Sequence, residues 1–131
     1  MQALYEWQMN QNPLQKIEQQ FRAEYDFSQV DLEFFQELLH HIPAQLGEID
    51  ALLLPHLDRT IKELTPIELA LLRIGAYELA HRIDVPFKVA INEAVSLAKK
   101  FGASESHKYI NGVLDSVAKQ TRAVEVSAAK R

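Results

Sequence analysis

Thr65-Pro66-Ile67-Glu68-Leu69-Ala70-Leu71-Leu72-Arg73-Ile74-Gly75-Ala76-Tyr77-Glu78-Leu79-Ala80-His81-Arg82 decides the architecture of this chain. Thr65 can cap a helix start. Pro66 suits the first helical position, where its missing N–H would have no partner, and Glu68 completes a capping box. Ile67, Leu69, Leu71, Leu72, Ile74, Tyr77 and Leu79 then fall on most sides of the helix rather than on one stripe. A helix apolar nearly all round belongs in the middle of a bundle. Its charges, Glu68, Arg73 and Glu78, read as a wet edge. The helix dipole favours Glu68 in the first turn whatever else it does. A second role open to Glu68 is that of an exposed acid for a basic partner.

Toward the C-terminus the same start logic recurs at Asp84-Val85-Pro86, with Pro86 near the first helical position. Phe87, Ala90, Ile91, Ala94, Leu97, Ala98 and Phe101 line one face of the helix that follows. Gly102 reads as its left-handed cap, and Ser104 as the start of the last helix. Ile110, Val113, Leu114 and Val117 form that helix's buried stripe. After about Arg122 the residues turn small and polar, and a frayed tail over 123–131 is expected.

Toward the N-terminus the pattern is looser. Residues 1–11 read as the end of a helix, broken by Asn12-Pro13. Ile17, Phe21 and Tyr25, at spacing four, mark an amphipathic helix over 14–25. Phe34, Phe35, Leu38, Leu39 and Ile42 stripe another over 31–47, which Pro43 should kink or restart. Residues 48–64, with Pro55, predict two short helices. The sum is about seven helices joined by short loops, an all-α bundle in one domain over 1–122.

Composition narrows the class. A hydrophobic fraction of 47% in 131 residues suits one modest core. The absence of cysteine excludes disulfides and thiolate chemistry and fits a reducing cytoplasm. No apolar run approaches about 18 residues, so no membrane-spanning helix is expected, and the N-terminus lacks signal-peptide character. The net charge of −4 is unevenly spread. From residue 99 onward seven bases face three acids, a net +4; residues 1–98 carry seven bases against fifteen acids, a net −8. The basic end could face phosphate and the acidic body a basic protein. Ordinary scatter, with bases favoured near helix C-termini, explains the split equally.

Catalysis finds little support. His40 and His41 are adjacent and diverge by about 100° on a helix, and no paired metal-ligand spacing occurs, so no metal is expected. Ser104, Ser106 and His107 lack a Gly-rich elbow. Glu68 and Glu78 lie about 15 Å apart on one helix, too far for shared proton work. There is no phosphate-binding glycine loop. The chain reads as a non-enzyme without a cofactor.

The last helix is more informative. Lys108, Asn111 and Asp115 share one face, with Tyr109 at its edge beside Gly112. A lysine for phosphate, an aromatic ring for stacking and an amide for base edges are ingredients of single-stranded RNA recognition. A solvated face with Tyr109 half-buried is the competing reading. Gly112 costs about 1 kcal/mol in mid-helix relative to alanine; close helix packing or an approaching ligand would account for it.

Three stretches carry a resemblance. Val85-Pro86-Phe87-Lys88-Val89-Ala90-Ile91-Asn92-Glu93-Ala94, with Leu97-Ala98-Lys99-Lys100-Phe101-Gly102 and Ser106-His107-Lys108-Tyr109-Ile110-Asn111-Gly112-Val113-Leu114-Asp115, resembles the C-terminal half of the NusB family. Leu72-Arg73-Ile74-Gly75-Ala76-Tyr77-Glu78-Leu79 is similar to that family's central helix, and Gln2-Ala3-Leu4-Tyr5-Glu6-Trp7-Gln8 to part of its first. The likeness spans residues 2 to about 122 and is densest over 65–115.

The resemblance implies two packed three-helix-type subdomains, about 1–64 and 65–122. It implies a transcription antitermination factor that pairs with NusE, a small-subunit ribosomal protein, and binds boxA RNA of ribosomal RNA leaders, acting on the RNA polymerase elongation complex indirectly. By motif match it implies RNA contacts from Glu105, Lys108, Tyr109 and Asn111. Glu68 matches a position at the NusE contact, Tyr5 one tied more weakly to assembly, and Arg73 accompanies them. The family carries an arginine-rich segment before Gln-Ala-Leu-Tyr. Here Met1 stands directly before Gln2, where the family often has valine, so a valine codon read as a start is expected, and with it weaker boxA binding than in a longer relative. Apolar surface left by a shortened first helix would let two copies pair. Two other readings stay open: a protein-only adaptor without RNA binding, and a NusB-like accessory domain of a ribosomal RNA methyltransferase. The absence of a cofactor loop disfavours the second.

Overall fold

Helix α5 (Pro66–His81) is the axis on which the other helices lean. Thr65 accepts the Glu68 N–H through its side chain, and the Glu68 carboxylate accepts the Thr65 N–H at 2.9 Å, closing the expected capping box with Pro66 at the first position. From Ala70 to Leu79 every residue is buried. The structure is a computed structural model and describes residues 1–101 and 105–129, the side chains of Gln29 and Val30 excepted. Gly102 and Ser104, read as the end of one helix and the start of the next, lie outside the described residues.

Around α5 stand α1 (Gln2–Asn10), α2 (Leu14–Glu24), α3 (Gln29–Ala44), α4 (Leu46–Leu53), α6 (Phe87–Lys100), α7 (Ser106–Thr121) and α8 (Ala123–Ala129). Among the described residues these eight α-helices and two short 3-10 turns, Leu54–His56 and Ile61–Glu63, are the regular structure. Residues 48–64 therefore form one short α-helix and two turns rather than two helices. Pro43 acts as expected. It removes a donor from the last turn of α3, and the chain restarts as α4 after Gln45, whose N–H reaches the carbonyls of His41 and Ile42. Pro86 stands one position earlier than expected, at the N-cap of α6, and Asp84 pairs with Arg82 instead of capping.

Helices α5, α6 and α7 pack pairwise, and α1, α3 and α4 close on α5 from the other sides. The main core runs without interruption across the 64/65 junction, from Leu4, Ile42, Ile49 and Leu53 to Leu71, Ile91, Ile110 and Leu114. A small second core of Ala3, Ile17 and Leu39 joins α1, α2 and α3. One glycine is forced by this packing. A Cβ on Gly75 would stand 2.6 Å from Cδ1 of the buried Leu114, so α5 and α7 approach through the missing side chain.

The expected frayed tail is corrected. Residues 123–129 form α8, with Val126 buried. The cause is Arg122, only 5% exposed. Its guanidinium donates to the carbonyls of Leu79 (2.7 Å), Glu78 (3.1 Å), Arg82 (2.8 Å) and Val85 (2.9 Å) and to Glu125 (2.7 Å). The last carbonyls of a helix have no partner within it. A planar five-donor fork supplies several at once. Glu125 in turn accepts the Phe87 N–H at the start of α6.

Candidate RNA and partner interface

The residues expected to meet RNA converge at the N-terminal end of α7. Glu105, Lys108 and Asn111 are exposed there, and Tyr109 is half-buried. Helical spacing puts Lys108 and Asn111 on one side. Gly112, next to them, is open: a Cβ there would meet nothing within 4 Å. Close helix packing, one of the two explanations considered for it, is excluded.

Tyr109 brings in a residue the sequence reading missed. The Arg59 guanidinium lies over its ring, 4.3 Å from the centroid. Arg59 is bonded to Asp58 at 2.8 Å, with both side chains well exposed. That bond is the main reason the Asp58 carboxyl sits below its usual range. The Tyr109 hydroxyl is buried against Asp58. Burial first, then the carboxylate, raises its pKa, although no hydrogen bond of good geometry closes between them. One face of the ring is therefore covered by a guanidinium plane, itself a surface on which bases stack. No periodicity links residue 59 to residue 109. Only the turn after Pro55 brings them together, so the sequence held no signal for the pair.

Glu68 is not the exposed acid considered above. It is 6% exposed and accepts hydrogen bonds from the Thr65 N–H and from the Ser106 hydroxyl at 2.7 Å. Burial alone would raise its pKa. The bonds from Thr65 and Ser106, with Arg59 nearby, outweigh it and hold the carboxyl below the ordinary value. Glu68 thus ties the start of α5 to the start of α7. Arg73 is likewise internal, 6% exposed. It forms a two-pronged pair with Asp50, 3.0 Å on each side, and donates to Gln8 at 3.0 Å. Gln8 also donates to the Pro66 carbonyl, docking α1 on the start of α5. Tyr5 lies half-buried on that helix. Of the three residues expected at a partner contact, Tyr5 alone keeps part of its surface open; the other two hold helices in place.

These features define a class. It is an all-helical module whose polar side chains are offered at one end of a long helix. Among the described residues no group of His, Cys, Asp or Glu could hold a metal, and no helix is long and apolar enough to cross a membrane. Comparison with known proteins makes the class specific. The NusB family profile matches residues 1–119. The transcription antitermination protein NusB of Teredinibacter turnerae is 55% identical, over 99% of this chain and 89% of the relative. Its counterpart in Pseudomonas fluorescens is 51% identical, over 99% of this chain and 78% of the relative. T. maritima NusB superposes with a TM-score of 0.79 at 29% identity, covering 90% of this chain and 84% of that one. NusB in a crystal structure with NusE and double-stranded RNA superposes with a TM-score of 0.80 at 25% identity, covering 90% and 89%. This chain belongs to the NusB family.

Proposed function

We propose that this chain is a cytoplasmic transcription antitermination factor that binds boxA RNA of ribosomal RNA leaders together with NusE and so promotes processive ribosomal RNA transcription. The relatives carry the name of that activity, and one superposable structure is of NusB with NusE and RNA. The observation that carries the reading is local. Lys108 and Asn111 stand exposed beside a tyrosine whose ring bears the Arg59 guanidinium. Lysine neutralises phosphate, the Arg59–Tyr109 stack offers a base a flat cationic platform, and the amide can read a base edge. Glu105, at the N-cap of α7, borders this surface. The partner surface lies on α1 and the start of α5, around Tyr5. The Glu68–Ser106 bond holds that surface in register with the RNA face.

The role is assembly, with no bond made or broken: the two proteins hold a nascent leader and tether the elongation complex to it. Titration of labelled boxA RNA, followed by fluorescence anisotropy with and without the NusE partner, tests this. Binding that tightens when the partner is added supports it. Partner binding without any RNA binding would make the chain a protein-only adaptor.

A further inference from the structure

Gly112 has no packing reason to be a glycine. In mid-helix it costs about 1 kcal/mol relative to alanine, yet a Cβ there would meet nothing within 4 Å. Glycine also serves where a ligand must come close to the backbone. Tyr109, Gly112, Ser116 and Gln120, at spacings of three and four, form one stripe along α7. Gly112 and Gln120 are exposed, and Tyr109 and Ser116 are half-buried.

The segment from the 3-10 turn Leu54–His56 to Arg59 runs antiparallel to this stripe and touches it at both ends. At one end Arg59 lies over Tyr109. At the other, on the surface, His56 Nε2 donates to Gln120 Oε1 at 3.0 Å. That bond leaves the Gln120 NH2 and the His56 Nδ1 without partners among the described residues. Tyr109 and Gln120 are eleven residues apart, about 16 Å at 1.5 Å per residue. The span has room for up to about five nucleotides at the 3.4 Å strand spacing. Lys119, next to Gln120 in the chain, pairs with Asp115 at 3.8 Å, so the far end offers mainly uncharged groups. An imidazole ring is a surface on which unpaired bases stack, and an amide can meet a base edge.

We propose that α7 is a track for the RNA strand. The strand leaves the Arg59–Tyr109 platform, crosses the helix backbone at Gly112 and ends on a second contact, where His56 stacks on an unpaired base and the Gln120 amide meets its edge. This inference rests on the RNA reading given above and adds to it a contact that holds bases without drawing on phosphate charge.

Labelled boxA RNA, whole and shortened by about three nucleotides at either end, is titrated into the complex of the chain with the NusE partner and followed by anisotropy. A His56→Ala, Gln120→Ala double variant should bind the whole RNA at least about fivefold more weakly, the scale of one lost stacked base, with the salt dependence unchanged. One of the two shortened RNAs should bind the parent about as weakly and be indifferent to the double variant. Gly112→Ala should bind the whole RNA at least about threefold more weakly although it stabilises the helix, which separates the loss from unfolding. Parent-strength binding of the whole RNA by either variant would overturn the track alone. So would a loss of equal size on every RNA, which marks an effect on the fold. A parent chain that binds no boxA RNA would overturn the RNA reading itself, and the track with it.

Discussion

The two ends of α7 make opposite use of the same kinds of side chain. At the C-terminal end, Arg122 is sealed in, each of its donors spent on main-chain carbonyls and on Glu125. At the N-terminal end, Lys108 and Asn111 face solvent, and Arg59 is held by an exposed aspartate and an aromatic ring. One end finishes α5 and starts α8. The other leaves Lys108, and the outer face of the Arg59 guanidinium, turned to solvent. A basic residue near a helix end therefore says little until the carbonyls around it are counted: where they are buried and unpaired they consume it, and where they are not it stays available for binding.

The contrast predicts unequal costs. Arg122→Met leaves the Leu79 and Val85 carbonyls and the Glu125 carboxylate without its donors and takes one of two donors from the Glu78 and Arg82 carbonyls, and unfolding in urea should register a loss of about 3–5 kcal/mol. Lys108→Met at the other end should stay within about 0.5 kcal/mol of the parent. Comparable losses at both ends would erase the distinction.

A second measurement sharpens the sealed end. The Glu78 carbonyl is one of those that Arg122 holds, while its carboxylate Oε2 is buried without a hydrogen-bond partner. Burial holds its folded pKa at about 7, above the ordinary carboxyl value. The neutral form is therefore favoured by the fold, and stability should fall as pH rises from the lower value through the upper one. Glu78→Gln, which cannot ionise, should gain about 2–3 kcal/mol on the parent at pH near 8.5 and little at pH near 4.5. A gain that does not change with pH would mean the carboxyl ionises freely.

Two glycines on facing helices extend the comparison. Gly75→Ala places a methyl 2.6 Å from Cδ1 of the fully buried Leu114, forces that side chain to shift within the core, and should cost about 1–3 kcal/mol. Gly112→Ala opens onto empty space and should gain about 1 kcal/mol of stability. A simultaneous drop in boxA affinity would mark Gly112 as a place where RNA comes close.

The parts legible in the sequence were those written locally. Thr65, Pro66 and Glu68 declare the start of α5 within four residues, and the all-round apolar pattern places that helix at the centre. Pro43 declares its own break. What could not be read depends on distant chain segments meeting. Arg122 looks like any solvated base until the end of α5 arrives against it. Glu68 looks exposed until Ser106 bonds to it. Arg59 sits in an unpatterned turn and acquires meaning only over Tyr109. At the candidate site, Lys108, Asn111 and Tyr109 were readable as a face, but the guanidinium completing that face was not.

The central claim is that the open end of α7 meets RNA phosphate. The direct measurement is the salt dependence of boxA affinity in the presence of the NusE partner, for the parent chain and for a Lys108→Gln, Arg59→Gln double variant. If Lys108 neutralises a phosphate, the slope of log affinity against log salt should flatten by about 0.7 on a single strand, while loss of the Arg59 platform lowers affinity at every salt concentration, with thermal stability unchanged. A slope identical to the parent's would place the RNA elsewhere and contradict the account.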